Sequence, residues 1–283
     1  MKYLLAICFA MVLRLDGWTQ QHHGFIPVRD GKLFFEQSGK GPALVFLHGV
    51  CLDHRMWQEQ IDFFSEFYTC INLDLRGFGE SSLPTSTPYS FHEDIKTLLD
   101  SLHIEEPVVL LALSMGGKAA INFSLAYPER TKALLLADVA VDGYRFRDFK
   151  LEWVAEVAQK EGVDSANQFF LENPIFSSAK KNKAVYDRLE QMILSYSGWN
   201  WTHKNPILGL TPPAIEQLDK IKIPVLIITG EEDIWDFQQI AQILNNNITQ
   251  SLKKEIKGAG HMCNMEKPEV FNELVFEFLN KGQ

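Results

Sequence analysis

The chain has 283 residues, 46% hydrophobic and 22% charged, which is enough to bury one sizeable core with a smaller lobe and too apolar for a disordered chain. Its formal net charge of −9, with no cluster of Lys and Arg to offset it, argues against a nucleic-acid binder. Cys8, Cys51, Cys70 and Cys263 are too widely spaced for a zinc site or a dense disulfide framework.

The N-terminus reads as a targeting segment. Lys2 precedes an apolar run over residues 3–13, and a polar stretch follows at 19–23. That is the order of a secretory signal peptide, and the run is too short to span a bilayer as a helix. Residues 1–20 are expected to direct export to a periplasm or the exterior, with cleavage near 17–20. The competing reading is a mis-chosen start or a buried helix on a cytoplasmic protein. Cleavage removes Cys8 and leaves three cysteines, so at least one is unpaired within a monomer.

Beyond residue 24 the elements alternate. Segments 25–29 and 32–37 flank Asp30-Gly31, a hairpin signal. Apolar runs at 43–47, 69–73, 107–113 and 132–137 have strand length and the continuous hydrophobicity of strands buried on both faces. Helical patterning fills 56–67, 91–102 and 115–126, with Ile95, Leu98, Leu99 and Leu102 on one face. From about 140 to 213 the pattern is helical without a strand and rich in aromatics, Trp153 and Phe176 among them, and Pro206, Pro212 and Pro213 close it. Alternation resumes at 224–229, 235–244, 251–256 and 268–279. The reading is an α/β fold with a mostly parallel central sheet and helices on both faces. It predicts a core over 21–139 and 214–283, with a helical cap over 140–213 lying above the strands' C-terminal edge, where such sheets bind ligands.

Four short segments carry chemistry. In Leu113-Ser114-Met115-Gly116 a strand runs directly into a helix, and the tight turn presents the Ser114 hydroxyl for attack. Ala112 and Gly116 are the small residues that let strand and helix pass closely. His48-Gly49-Val50 ends the first apolar strand, and the amides of Val50 and Met115 can form an oxyanion hole. His48 itself reads as structural. Gly258-Ala259-Gly260-His261 places a histidine in a glycine-bounded loop, and an imidazole with an ordinary pKa of about 6.5 suits a general base near neutral pH. Gly230-Glu231-Glu232-Asp233 follows another strand and supplies a carboxylate to orient that imidazole. Glu231, Glu232 and Asp236 compete with Asp233 for this role, and Asp138 is a rarer location for it.

These segments, with the Asp74-Leu75-Arg76-Gly77-Phe78-Gly79-Glu80-Ser81 loop, resemble the α/β-hydrolase superfamily over residues 25–281, in particular its small capped esterases, lactonases and carbon–carbon-bond hydrolases. The resemblance implies the chain order Ser, acid, His, which favours Asp233, and makes Arg76 scaffold. Ser114 at the elbow sets the chain apart from dehalogenase-like and epoxide-hydrolase-like relatives, which use aspartate there.

The expected function is a serine hydrolase that opens a small ester, thioester or lactone through an acyl-enzyme on Ser114, with His261 as base and Asp233 as its partner. The aromatic insertion suggests an apolar acyl or aryl substrate. Cys51, Leu113, Trp153 and Phe176 are the candidate substrate contacts. No metal or organic cofactor is implied, since every reacting group is a protein group. The alternatives are a carbon–carbon-bond hydrolase using the same triad, or a ligand sensor of the same fold that does not turn over.

Overall fold

The structure is a computed structural model and describes residues 22–281. The expected signal segment and Cys8 lie outside the described residues. The strands β1 His22–Val28, β2 Gly31–Ser38, β3 Ala43–Leu47, β4 Thr69–Leu73, β5 Val108–Leu113, β6 Thr131–Ala137, β7 Val225–Gly230 and β8 Ser251–Ile256 form one sheet, in the order β1-β2-β4-β3-β5-β6-β7-β8. β1 and β2 form the antiparallel hairpin that Asp30-Gly31 predicts, and β2 also runs antiparallel to β4. From β4 to β8 every pairing is parallel. Every residue of β5 and β7 is buried, so both faces of the sheet are covered. The edge strand β8 exposes Leu252, Lys254 and Glu255, and its charges discourage pairing with another chain.

The helices are α1 Gln58–Phe64, α2 Phe91–Ser101, α3 Met115–Ala126, α4 Leu151–Glu161, α5 Val163–Leu171, α6 Lys183–Leu194, α7 Trp199–Thr202, α8 Trp235–Asn247, α9 Cys263–Glu266 and α10 Pro268–Asn280. α1 packs on α10, α2 on α3, and α8 on β7 and β8. The helical pattern over 56–67 resolves into a 3-10 turn, His54–Trp57, followed by the shorter α1. Asp53 caps that turn by accepting the Arg55 amide at 3.0 Å. The four-residue α9 is too short to leave a periodic signal in the sequence.

Helices α4–α7 are inserted between β6 and β7. The insertion has an aromatic core of its own. Phe170 meets Phe176 and Trp201 at ring-centroid distances of 5.5 and 5.6 Å, and the Trp201 indole donates to Asn167 at 2.9 Å. A carboxylate ties the entry to this insertion onto the sheet domain. Asp236, fully buried on α8, accepts the amides of Arg147, Asp148 and Phe149 at 2.9, 2.8 and 3.0 Å and the Tyr144 hydroxyl at 3.1 Å. Desolvation works to raise its pKa, but these donors hold the carboxyl below its ordinary value. Asp236 is thereby committed to structure.

Candidate active site

β5 ends at Leu113 and α3 begins at Met115, leaving Ser114 alone in the turn with φ 52° and ψ −119°. A non-glycine residue there is strained, and the surroundings hold it. Its amide donates to Ala137 O at 3.2 Å, and its carbonyl accepts from Gly117 and Ala140 at 2.9 Å each. Close passage of α3 over the sheet explains Gly116, where a Cβ would lie 2.2 Å from Leu47 O. Ala112 is fully buried, so β5 accommodates a methyl group at the first small position.

Asp233 and His261 come from loops after β7 and β8. Oδ2 of Asp233 lies 2.8 Å from Nδ1 of His261, while Oδ1 accepts the Ile234 amide at 2.7 Å. Both side chains are nearly inaccessible, His261 at 2% and Asp233 at 0% exposure. The Phe237 ring packs on the imidazole with centroids 4.2 Å apart. Nε2 of His261 is buried with no hydrogen-bond partner among the described residues, and His261 lines a small recess together with Ser114, Leu113 and Phe176. The rival carboxylates are engaged elsewhere: Glu231 accepts the Gly258 amide, and Glu232 pairs with Lys181.

The amides of Val50 and Met115 find no backbone acceptor among the described residues, and both residues lie on the wall of the cavity that opens beside Ser114. His48, just before that loop, is structural in its geometry. Its Nδ1 lies 2.7 Å from Gly49 O and its Nε2 accepts the Leu75 amide at 3.0 Å, a pattern that requires the neutral Nδ1–H tautomer. Burial pushes its pKa down, in keeping with that form.

The cavity beside Ser114 has a volume of about 560 Å³. Phe91, Phe146, Phe149, Trp201 and Phe237 give it apolar walls. Ser114, Lys118 and Asn122 line it at helical spacing along α3. At that polar side Lys118 pairs with Asp142 at 2.6 Å, and Asn122 donates to the same carboxylate at 2.6 Å. Two of the expected substrate contacts lie elsewhere. Trp153 is 58% exposed on the outer face of α4, and its neighbours Leu151 and Glu152 line the cavity instead. Cys51 is buried and lines a separate cavity of about 360 Å³ with His54, Arg55 and Tyr196, which Ser114 does not reach. Cys51 directly follows the cavity residue Val50, yet with φ 60° it lines the other cavity. Lys118 stands one helical turn beyond Ser114, a local spacing; Asp142, Phe146 and Phe149 join the same cavity wall only through the tertiary fold.

Among the described residues one cluster has metal-ligand character, Asp53, His54 and Asp74. Its atoms already have partners: Asp53 binds Arg55 at 2.8 and 2.6 Å, and Asp74 accepts the amides of His54 and Glu80 at 2.7 and 2.9 Å. The cluster is the scaffold of the loop that follows β4.

A model of the alpha/beta hydrolase family matches residues 44–274. The carboxylesterase YbfK of Bacillus subtilis is 27% identical over 281 residues, covering 95% of this chain and 91% of that protein. 3-Oxoadipate enol-lactonase 2 of Acinetobacter baylyi is 28% identical, covering 83% and 87% of the two chains. A thermophilic esterase from Thermogutta terrifontis superposes with a TM-score of 0.76 at 26% identity, covering 93% of this chain and 98% of that one.

Proposed function

Because the chain belongs to the α/β-hydrolase family and is a hydrolase acting on ester bonds, we propose that it cleaves small, uncharged carboxylic esters through a Ser114–His261–Asp233 triad. The observation that carries this reading is the 2.8 Å contact between His261 Nδ1 and Asp233, with the free edge of the imidazole beside the strained Ser114. Nε2 of His261 takes the Ser114 proton as Oγ attacks the carbonyl carbon. The amides of Val50 and Met115 receive the oxyanion. The imidazolium gives its proton to the departing alcohol, and water, activated by the same imidazole, then releases the acid. Asp233 fixes the tautomer and offsets the imidazolium charge. Thioesters and lactones fit the same steps.

The substrate class follows from the cavity wall. Its aromatic sides favour an acyl or aryl group, and Leu113 and Phe176 line the recess that Ser114 and His261 share. The insertion α4–α7 serves as the cap over this site, and residues 1–20 serve as an export signal, a point that N-terminal sequencing of protein recovered from outside the cytoplasm tests.

The central test is labelling with a fluorophosphonate followed by mapping of the modified residue, alongside steady-state hydrolysis of p-nitrophenyl butyrate. The label is expected on Ser114, with Ser114→Ala losing turnover on the order of 10⁴-fold or more. A label on another residue, or wild-type turnover by Ser114→Ala, overturns the reading.

A further inference from the structure

Among the described residues lining the cavity beside Ser114, Lys118 is the only lysine or arginine. Its Nζ lies 2.6 Å from Oδ1 of Asp142. Asp142 is itself pinned. Its Oδ2 accepts the Asn122 side-chain amide at 2.6 Å, and its backbone carbonyl accepts the Ile215 amide at 3.0 Å. The backbone of Gly209 passes so close that a Cβ there would lie 2.9 Å from the same Oδ2. Asp142 therefore anchors the ammonium at one place on the wall.

An ammonium has three N–H donors, and one carboxylate oxygen takes one of them. Lys118 has no second partner among the described residues, and its side chain is 40% exposed, so its other donors are reachable from the cavity it lines. Asp142 cancels the lysine's charge, and Glu152 on the same wall is a further carboxylate. An anion gains little there, and a cation meets the ammonium. A neutral oxygen acceptor takes an N–H without adding charge. Ser114 and Lys118 stand four residues apart along α3, a rise of about 6 Å, which an extended chain covers in about five single bonds. The aromatic walls suit methylenes over that stretch.

We propose that Lys118 is a specificity-determining residue that donates to a neutral ether or ketone oxygen about five bonds along the acyl chain from the reacting carbonyl. The inference rests on the reading above, in which Ser114 is the nucleophile and the acyl group occupies this cavity. The preferred acyl group is then apolar next to the ester and oxygenated further out. A lysine kept only to tie α3 to Asp142 would not distinguish an oxygenated chain from a plain one.

The test measures kcat/KM for p-nitrophenyl 5-methoxypentanoate against p-nitrophenyl heptanoate, chains of equal length in which an oxygen replaces one methylene. Each ratio of ether to alkyl is normalised to hydroxide-catalysed hydrolysis, and wild type is compared with Lys118→Met and Lys118→Met/Asp142→Leu. The ratio is expected to fall about 5- to 30-fold in Lys118→Met, the loss of a charge-assisted hydrogen bond discounted for partial exposure. The double variant is expected to show the same fall, since it also lacks the donor. An unchanged ratio in Lys118→Met overturns the proposal. A ratio that falls there and returns to the wild-type value in the double variant assigns the effect to the stranded Asp142 carboxylate and overturns it as well. Wild type alone gives a further check that needs no variant to fold. With the oxygen two bonds nearer, 3-methoxypropanoate against pentanoate, its ratio is expected to be at least about threefold lower than with the distant oxygen, out of the ammonium's reach. A ratio as high for the near oxygen as for the distant one overturns the proposal. Failure of the underlying reading shows separately, as no fluorophosphonate label on Ser114 in wild type.

Discussion

A Cβ at position 230 would lie 2.1 Å from the carbonyl oxygen of Gly260, so Gly230 and Gly260 touch backbone to backbone where the loop bearing Asp233 meets the loop bearing His261. The contact sets the spacing between the carboxylate and the imidazole. Gly230→Ala must push the loops apart, since backbone rather than a flexible side chain stands in the way. Turnover of p-nitrophenyl butyrate is expected to fall on the order of 10- to 100-fold, with a stability loss of about 1–3 kcal/mol measured by urea unfolding. Wild-type kinetics in this variant would remove the spacing role.

Substrate charge offers a second measurement. Lys118 and Asp142 on the cavity wall neutralise each other, while Glu152 has no cationic partner among the described residues. A p-nitrophenyl ester with a carboxylate at the far end of its acyl chain is expected to react with kcat/KM about three- to tenfold below its uncharged isostere, since Glu152 is exposed and screened. Glu152→Gln is expected to narrow that gap. Preference for the anionic ester in wild type would contradict the uncharged-substrate reading.

Arg76 predicts an effect on stability. Its guanidinium grips Asp94 through two bonds, 2.9 and 2.6 Å, and donates to Arg29 O at 2.7 Å, with the two side chains 3% and 6% exposed. Arg76→Met strands the Asp94 carboxylate in the interior and is expected to cost about 3–5 kcal/mol in urea unfolding. Turnover per fluorophosphonate-labelled site is expected to be unaffected. A cost below about 1 kcal/mol means that the pair is replaceable by packing.

The cysteines give a fourth expectation. Cys51, Cys70 and Cys263 are free and buried. Burial pushes the Cys70 thiol up to about 12 and the other two well above their ordinary value, with Asp138 adding to the effect at Cys263. With Cys8 replaced by serine, the native protein at pH 8 is expected to resist an aromatic disulfide reagent and keep its activity, and all three thiols are expected to react in urea. Rapid loss of activity on modification of a single native thiol would place a reactive cysteine at the site.

The sequence by itself determined the order of strands and helices, the serine at the strand–helix junction, and the loops that carry Asp233 and His261. These are local properties: apolar runs and helical periodicity report burial, and glycines bracket the turns. It favoured Asp233 over Glu231, Glu232 and Asp236 only by its place at the loop apex, because all four share one loop and its following helix. What the rival carboxylates bind is decided only in the packed chain, which gives Glu231 to Gly258, Glu232 to Lys181 and Asp236 to the 147–149 amides. The cavity wall was equally beyond reach. Trp153 and Leu151 stand two residues apart on α4, yet one faces solvent and the other the cavity, since helix rotation against a distant partner is set by tertiary packing. The bond from the Gly230 amide to the Asp138 carboxyl joins residues separated by a whole inserted lobe, and no local pattern encodes a contact closed by the neighbouring of β6 and β7.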